Sequence, residues 1–171
     1  DNRMGVLSKK VPSVFLTHQL NVLSGNTSYF SSKIHQKIIK NFTECWVPDV
    51  SGPINLSGKL GHLTETDLPI TYIGPLSRMA RKDLPKKFDV LCILSGPEPQ
   101  RTMLEEKLME VFSSSAKKIA LVQGKVHGEK TKQVLNGISV YNYLETVGLE
   151  MLINQSEVVV SRSGYTTLMD L

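Results

Sequence analysis

The end of the chain carries a short run of residues suited to binding an anion. An apolar run, Val158–Val160, leads into Ser161–Gly164, and Thr166 and Thr167 follow directly. Gly164 has no Cβ, so the backbone can approach a ligand closely at this position. Thr166 and Thr167 fall where a helix is expected to begin, and the unpaired N–H groups of a helix start favour an anion such as a diphosphate.

A carboxylate follows at a spacing that allows two interpretations. Asp170 lies about one helical turn after Thr167, and its oxygens can accept two hydrogen bonds from a ribose diol. The spacing Thr167-x-x-Asp170 also matches a capping box, in which the two side chains only close the start of a helix. The residues alone leave both interpretations open.

The elements that position this run are short apolar strands that alternate with helices. Strands are predicted at Val11–Thr17, Ile70–Gly74, Phe88–Leu94, Lys118–Gln123, Val140–Leu144 and Glu157–Ser161. Helices are predicted at Ser32–Phe42, at Gln100–Phe112, around Leu149–Ile153 and, as a short one, at Thr131–Leu135, with loops at Ser24–Thr27 and Asp49–Pro69. This alternation predicts an α/β fold with parallel sheets, in which ligands bind beyond the carboxyl ends of strands.

A basic, proline-containing stretch divides the pattern in two. Arg78, Arg81, Lys82, Lys86 and Lys87 are crowded into it. We predict one domain at residues 1–75, a basic hinge at 76–87 and a second domain at 88–171. A nucleic-acid patch is the alternative, but no aromatic residues are interleaved for base stacking, so we expect no nucleic-acid partner. The chain does not begin with Met and ends inside a predicted helix, so we expect both domains to be only partly covered.

Composition narrows the class of protein without choosing a function. Twenty Lys and Arg against sixteen Asp and Glu give a net charge of +4, which fits either an anionic partner or an ordinary solvated surface. No run approaches the roughly 18 apolar residues of a membrane span, and no signal peptide opens the chain, so we expect a cytoplasmic protein. Cys45 and Cys92 lack the ligand spacing of a zinc site and are expected to be buried, reduced thiols.

Four segments resemble, in the same order, motifs of the MurG-like glycosyltransferases of the GT-B class, whose nucleotide-binding half is the glycosyltransferase family 28 C-terminal type. Glu157–Leu171 (EVVVSRSGYTTLMDL) resembles the pattern D-V-V-V-x-R-S-G-A-x-T-x-x-E, and Thr17–Gly25 (THQLNVLSG) is similar to H-E-Q-N-x-x-x-G. Tyr72–Arg78 (YIGPLSR) resembles the hinge motif G-N-P-V-R, and Val140–Glu145 (VYNYLE) resembles the segment that faces the nucleotide base.

Three departures from the family pattern concern substrate binding. Leu94–Pro99 (LSGPEP) stands where the family has G-G-S-x-G-A, and its two prolines lack the N–H donors that cradle a phosphate. Gln19 and Leu20 replace the family's glutamate and glutamine. We therefore expect an acceptor other than the family's peptidoglycan lipid.

The resemblance implies a GT-B architecture: two Rossmann-like domains, with a UDP-sugar on the C-terminal one and the acceptor on the N-terminal one. It implies that Ser163, Gly164, Thr166 and Thr167 line the diphosphate. It also implies that Asp170 contacts the ribose and that Leu144 meets uracil, with Tyr143 beside it. Arg162 matches the family's arginine in type. On the acceptor side it points to His18, Gln19 and Asn21, with His18 as the catalytic base, as an acceptor contact, or only as a residue that shapes its loop.

The function implied is an inverting transferase that moves a sugar, expected to be an N-acetylhexosamine, from a UDP-sugar to an acceptor hydroxyl. No D-x-D occurs in the sequence, so we expect a metal-independent reaction without a cofactor. The expected acceptor is lipid-linked or a saccharide, which suggests peripheral contact with an anionic membrane at its inner face. Two alternatives stay open: a UDP-sugar 2-epimerase on the same scaffold, and a non-catalytic nucleotide-binding half of a split transferase.

Overall fold

The computed structural model describes residues 10–22, 28–127 and 130–171. Two units are distinguished along the chain, and they meet in sequence between Leu76 and Ser77. Each unit contains one β-sheet with its own hydrophobic core. The loop predicted at Ser24–Thr27 lies outside the described residues.

The first unit is built on a parallel three-stranded sheet. Its elements are β1 (Val14–Leu16), α1 (Ser28–Ile39), β2 (Glu44–Val47) and β3 (Ile70–Tyr72), and the strand order is β1-β2-β3. Side chains along β2 alternate, so Cys45 and Val47 are fully buried while Trp46 is exposed. Leu20 and Ile39 complete the core against these two residues. The period-2 alternation is what a sheet covered on one face requires.

The second unit has a mixed five-stranded sheet. Its elements are β4 (Phe88–Ile93), α2 (Gln100–Phe112), β5 (Ile119–Val122), β6 (Lys132–Leu135), β7 (Ile138–Tyr141), α3 (Thr146–Asn154), β8 (Ser156–Ser161) and α4 (Tyr165–Asp170). The strand order is β6-β7-β5-β4-β8, and all neighbours are parallel except β6 and β7. The predicted α/β class with strands and helices in alternation is therefore confirmed.

Both faces of the second sheet are covered, which explains its continuous apolar strands. On one face, Cys92 and Leu121 belong to a buried cluster that packs against Leu104 of α2. On the other face, Leu91 lies in a cluster with Leu152 of α3. Because β4 and β5 are parallel, the loops that follow them leave the same edge of this covered sheet.

The short helix predicted at Thr131–Leu135 is wrong. Lys132–Leu135 form β6, which pairs with β7 in antiparallel register. Asn136 and Gly137 connect the two strands with φ angles of 50° and 79°. Two successive positive φ angles match the two-residue hairpin turn for which Asn-Gly is the preferred sequence. Because of this hairpin the second sheet is mixed, whereas parallel sheets were predicted throughout.

The basic segment after the boundary lies along the second unit. Three of its basic side chains are held by groups of α3, β8 and α4. The pairs are Arg78 with Asp170, Lys82 with Glu150, and Lys86 with the carbonyl oxygens of Asn154 and Ser156. The hinge role stays a prediction, but these contacts make the residues from Arg78 onward part of the second unit. No helix among the described residues is long and apolar enough to cross a bilayer.

Candidate functional site

The candidate site that contains residues of the predicted anion-binding run lies where two neighbouring strands of the second sheet end. β4 and β8 are parallel, and Ile93 is paired with Ser161, so the loops that follow them leave the same edge side by side. A cavity of about 300 Å³ lies between these loops. Its lining residues are Ser95, Gly96, Pro97, Arg162, Ser163 and Gly164. The sheet therefore brings together Arg162, Ser163 and Gly164 with a loop that is distant in sequence.

Arg162 and Gly96 are fitted to each other inside this cavity. Nη1 of Arg162 donates a hydrogen bond to the carbonyl oxygen of Ser95 at 3.1 Å. Gly96 has φ +102°, and a Cβ added there would collide with Nη1 of Arg162. Glycine is thus needed at position 96 both for the backbone conformation and for the placement of the guanidinium. That hydrogen bond uses one of the five N–H donors of the guanidinium. The guanidinium of Arg162 has no second acceptor among the described residues.

The threonines of the predicted anion site lie inside α4. Helix α4 begins at Tyr165, after Gly164 in an extended conformation with φ −67° and ψ 137°. Thr167 is therefore the third residue of the helix, so it does not cap it. The capping-box interpretation of Thr167 and Asp170 is wrong for this reason. Thr166 is exposed and Thr167 half-buried, and neither lines the 300 Å³ cavity.

Asp170 has a partner that sequence analysis missed. Its carboxylate accepts hydrogen bonds from Arg78: from the backbone N at 2.9 Å, from Nε at 3.1 Å and from Nη2 at 2.5 Å. The Asp170 side chain is only 4% exposed. Burial acts to raise the pKa of this carboxyl, but the hydrogen bonds and the charge of Arg78 outweigh it and hold the pKa below its usual range. Both carboxylate oxygens are thus occupied within the protein, and Asp170 does not line the cavity.

The residues expected to face the nucleotide base lie at the end of β7. Tyr143 and Leu144 are half-buried. Leu144 packs against the buried cluster that contains Val122, and the Nζ atom of Lys130 lies 6.0 Å from the centre of the Tyr143 ring. Neither residue lines the 300 Å³ cavity, so the structure does not bring them together with Arg162 there.

A buried arginine next to the cavity was also missed by sequence analysis. Arg101 is 5% exposed, and its guanidinium contacts Glu98 Oε1 at 2.5 Å, Glu105 Oε2 at 2.5 Å and the carbonyl oxygen of Gln123 at 3.3 Å. Glu98 also accepts the backbone N–H of Thr102 at 3.1 Å. Bonds from Thr102 and from Arg101 lower the pKa of Glu98. The start of α2 is therefore already occupied by the Glu98 carboxylate of the chain itself. The i, i+4 spacing of Arg101 and Glu105 is the sequence signal from which their ion pair could have been predicted.

The residues predicted for the acceptor side lie in the loop after β1. Burial lowers the pKa of His18 more than the nearby Asp49 carboxylate raises it, which favours the neutral imidazole. The carbonyl oxygen of Gln19 lies 2.7 Å from Nε2 of His35. Asn21 donates from Nδ2 to the carbonyl oxygen of Lys59 at 2.8 Å. The side chain of Asn21 therefore holds the neighbouring loop in place, while a neutral His18 has the protonation state that a base requires.

The loop after β2 is organised around a buried carboxylate. Asp49 is fully buried and accepts hydrogen bonds from the backbone N–H groups of Val50, Leu56 and Ser57 at 2.8, 3.1 and 2.8 Å, and from Ser57 Oγ at 2.5 Å. Burial acts to raise the pKa of Asp49, but these hydrogen bonds lower it to about 2. A cavity of about 440 Å³ is lined by residues of this loop, among them Ser51, Asn55 and Lys59. The sequence had indicated only a long polar loop here.

Metal ligands and known relatives complete the description of the site. No group of three or more His, Cys, Asp and Glu side chains that could hold a metal ion is present in residues 10–22, 28–127 and 130–171. No protein-family model, no curated protein and no solved structure matches the chain.

Proposed function

We propose that the second unit binds the diphosphate of a UDP-sugar and that the protein transfers the sugar, an N-acetylhexosamine, to an acceptor hydroxyl with inversion. One observation carries the proposal: the guanidinium of Arg162 is held over Gly96 in a cavity at the carboxyl ends of two adjacent parallel strands. Ligands of open α/β sheets bind at this edge. The motif resemblance supplies the class of ligand.

The chemistry of this cavity supports an anionic ligand. A planar guanidinium matches the geometry of phosphate oxygens and can donate two parallel hydrogen bonds to them. When a sugar is transferred, negative charge develops on the departing diphosphate, and a fixed donor stabilises it without reorganisation. Ser163 adds a hydroxyl, and Gly164 allows a close approach of the backbone.

Other parts of the proposal rest on the resemblance and extend to the first unit. His18 is proposed as the base that removes the acceptor proton, and Gln19 and Asn21 as residues of the acceptor side. Tyr143 and Leu144 are proposed for the uracil. A lipid-linked or saccharide acceptor, peripheral contact with an anionic membrane, a metal-independent mechanism and a cytoplasmic location stay predictions.

A non-catalytic nucleotide-binding module is the second candidate. The contacts of two carboxylates favour this module. Asp170 is bound by Arg78, and Glu98 occupies the start of α2, so neither group is available to a nucleotide. The nucleotide would then have fewer contacts than the family pattern implies. Such a site holds an anion through Arg162 without the ribose contact expected of a transferase.

Calorimetry with UDP tests the binding step. We expect UDP to bind the protein and Arg162→Met to weaken this binding about ten- to a hundredfold, because a charge-assisted hydrogen bond contributes about 1.5–3 kcal/mol. Lys107→Met, on the exposed side of α2, is the matched control for loss of a cation and should leave the affinity unchanged. Equal affinity in wild type and Arg162→Met would exclude this cavity as the diphosphate site.

Product analysis separates the candidate functions. Incubation with UDP-N-acetylglucosamine and saccharide or lipid-linked acceptors is followed by chromatography of the nucleotides and by NMR of the sugar. Released UDP with a new, inverted glycosidic bond supports the transferase. A change of configuration at C2 identifies the epimerase, and binding without any turnover identifies the non-catalytic module.

A further inference from the structure

Arg101 joins the loop after β4, which forms one wall of the proposed diphosphate cavity, to the loop after β5. Its guanidinium reaches Glu98, in the loop after β4, and the carbonyl oxygen of Gln123, in the loop after β5. It also binds Glu105 one turn further along α2. Glu105 in turn accepts hydrogen bonds from the side chains of Gln123 and Lys125. Two carboxylates and two cations therefore balance within one cluster.

This cluster lies directly behind the wall of the cavity. Ser95, Gly96 and Pro97 line the cavity, and Glu98 is the next residue in the chain. Glu98 is held on both oxygens, by Arg101 at 2.5 Å and by the N–H of Thr102 at 3.1 Å. The loop after β5 packs against the same segment, because a Cβ on Gly124 would lie 2.5 Å from the carbonyl oxygen of Leu94. The path of the wall is therefore set by contacts on its far side.

Burying a guanidinium is costly unless all its hydrogen bonds are made, and such sites are less favourable for stability than apolar packing of equal volume. Arg101 uses four of its five N–H donors, on Glu98, Glu105, Gln123 and Thr102, with a forked geometry that a lysine ammonium cannot reproduce. A charged residue in this position is thus better explained by control of loop geometry than by stability alone.

We propose that Arg101 is a positioning residue for the cavity, which fixes the Ser95–Pro97 wall through Glu98 without touching the ligand. The choice of UDP as the probe rests on the proposed function. Because Gly96 lies against the guanidinium of Arg162, a displaced wall also displaces the group that is proposed to bind the diphosphate.

Three variants test the proposal by UDP calorimetry and by thermal unfolding of the same samples. Arg101→Lys and Glu98→Gln both weaken the contact to the wall, and each should reduce UDP affinity about five- to thirtyfold. Glu105→Gln weakens the other arm of the cluster. Glu105 is 16% exposed and Glu98 is 56% exposed, so Glu105→Gln should cost more stability while leaving UDP affinity within about twofold.

Loss of the Arg101–Glu98 contact should therefore lower mainly the affinity for UDP, and loss of the Arg101–Glu105 contact should lower mainly the stability. Loss of affinity in proportion to loss of stability would overturn the proposal, as would tighter binding of UDP by Glu98→Gln. Amide hydrogen exchange at Ser95, Gly96 and Glu98 without ligand keeps the test independent of the proposed function. If wild type does not bind UDP, faster exchange in Arg101→Lys and Glu98→Gln, but not in Glu105→Gln, still supports positioning, and unchanged exchange refutes it.

Discussion

Replacing Asp170 by asparagine distinguishes a structural role for this carboxylate from a ligand role. In the structure the carboxylate receives three hydrogen bonds from Arg78, and its side chain is 4% exposed. Asparagine has the same shape, but it loses the charge and turns an NH₂ group towards donors of Arg78. We therefore expect Asp170→Asn to destabilise the protein even when no ligand is bound.

The size of this loss of stability depends on how exposed the Asp170 and Arg78 side chains are. Hydrogen bonds to a charged group contribute about 1.5–3 kcal/mol, and removing one partner of a buried pair costs more than an exposed pair would suggest. The Arg78 side chain is 54% exposed, so solvent screening reduces the loss. We expect about 2 kcal/mol, which lowers the melting temperature of a unit of this size by about 10 °C.

Thermal unfolding of wild type, Asp170→Asn, Arg78→Met and the double variant forms the assay. The two single changes should be strongly non-additive, because each removes the same contact. The folded-state pKa of Asp170 is lowered, so its contribution is present above the unfolded value of about 4 and is lost as pH falls through the folded value. The stability difference between wild type and Asp170→Asn should therefore shrink below about pH 4. An unchanged melting temperature in Asp170→Asn, together with weaker UDP binding, would refute the structural role.

Four further predictions concern the two units separately. Gly96→Ala should lower UDP affinity, because the new Cβ collides with Arg162, and should reduce the free energy of unfolding in urea by about 1–3 kcal/mol, because φ +102° is strained for alanine. Gly52→Ala is the control and should change neither quantity, because the space around Gly52 is open. Asp49→Asn should destabilise the first unit by about 2–4 kcal/mol. In wild type the stabilisation that ionised Asp49 provides should be lost as pH falls from about 4 to about 2, and urea unfolding at a series of pH values measures both effects. The segment Arg78–Lys87 should form no tight complex with DNA or RNA in retardation assays at physiological salt, because Arg78, Lys82 and Lys86 are paired within the second unit. Nucleic-acid binding whose affinity falls steeply with added salt would contradict this prediction. UDP should bind in excess chelator, because Arg162 supplies the positive charge, and calorimetry showing binding only with added magnesium would count against it.

The fold was predictable from sequence where hydrophobic periodicity was strong. The apolar runs of β4 and β5 appear as expected, because strands buried on both faces read as continuous apolar segments. The helix over Gln100–Phe112 also has its predicted bounds. β6 was missed because all four of its residues are exposed, so no buried face marks it. The turn residues Asn136 and Gly137 carried the missing signal, and turn chemistry decides where periodicity is weak.

The candidate site was predictable where its residues are neighbours in sequence. Arg162, Ser163 and Gly164, which follow β8 directly, line one cavity, whereas Thr166 and Thr167 further along the same run do not. The pairing of Arg78 with Asp170 spans 92 residues, and no local pattern gives the partner of a charge at that distance. The same holds for the contact between Gly96 and Arg162, which depends on β4 and β8 being neighbours in the sheet.

The charges at the carboxyl edge of the second sheet set how the proposed site must work. At this edge the chain places its own carboxylate, Glu98, on the start of α2, a group that an anionic ligand would otherwise use. The Asp170 carboxylate pairs with Arg78 at the opposite edge, beside Asn154 and the start of β8. Arg162 differs, because it is held by a neutral carbonyl oxygen and keeps its charge uncompensated among the described residues. On the proposed function, the diphosphate is bound by this one guanidinium rather than by several shared cations. On the same proposal, the shape of the loop around Gly96 contributes to specificity for the rest of the ligand, so the proposed positioning of this loop by Arg101 matters beside the charge of Arg162.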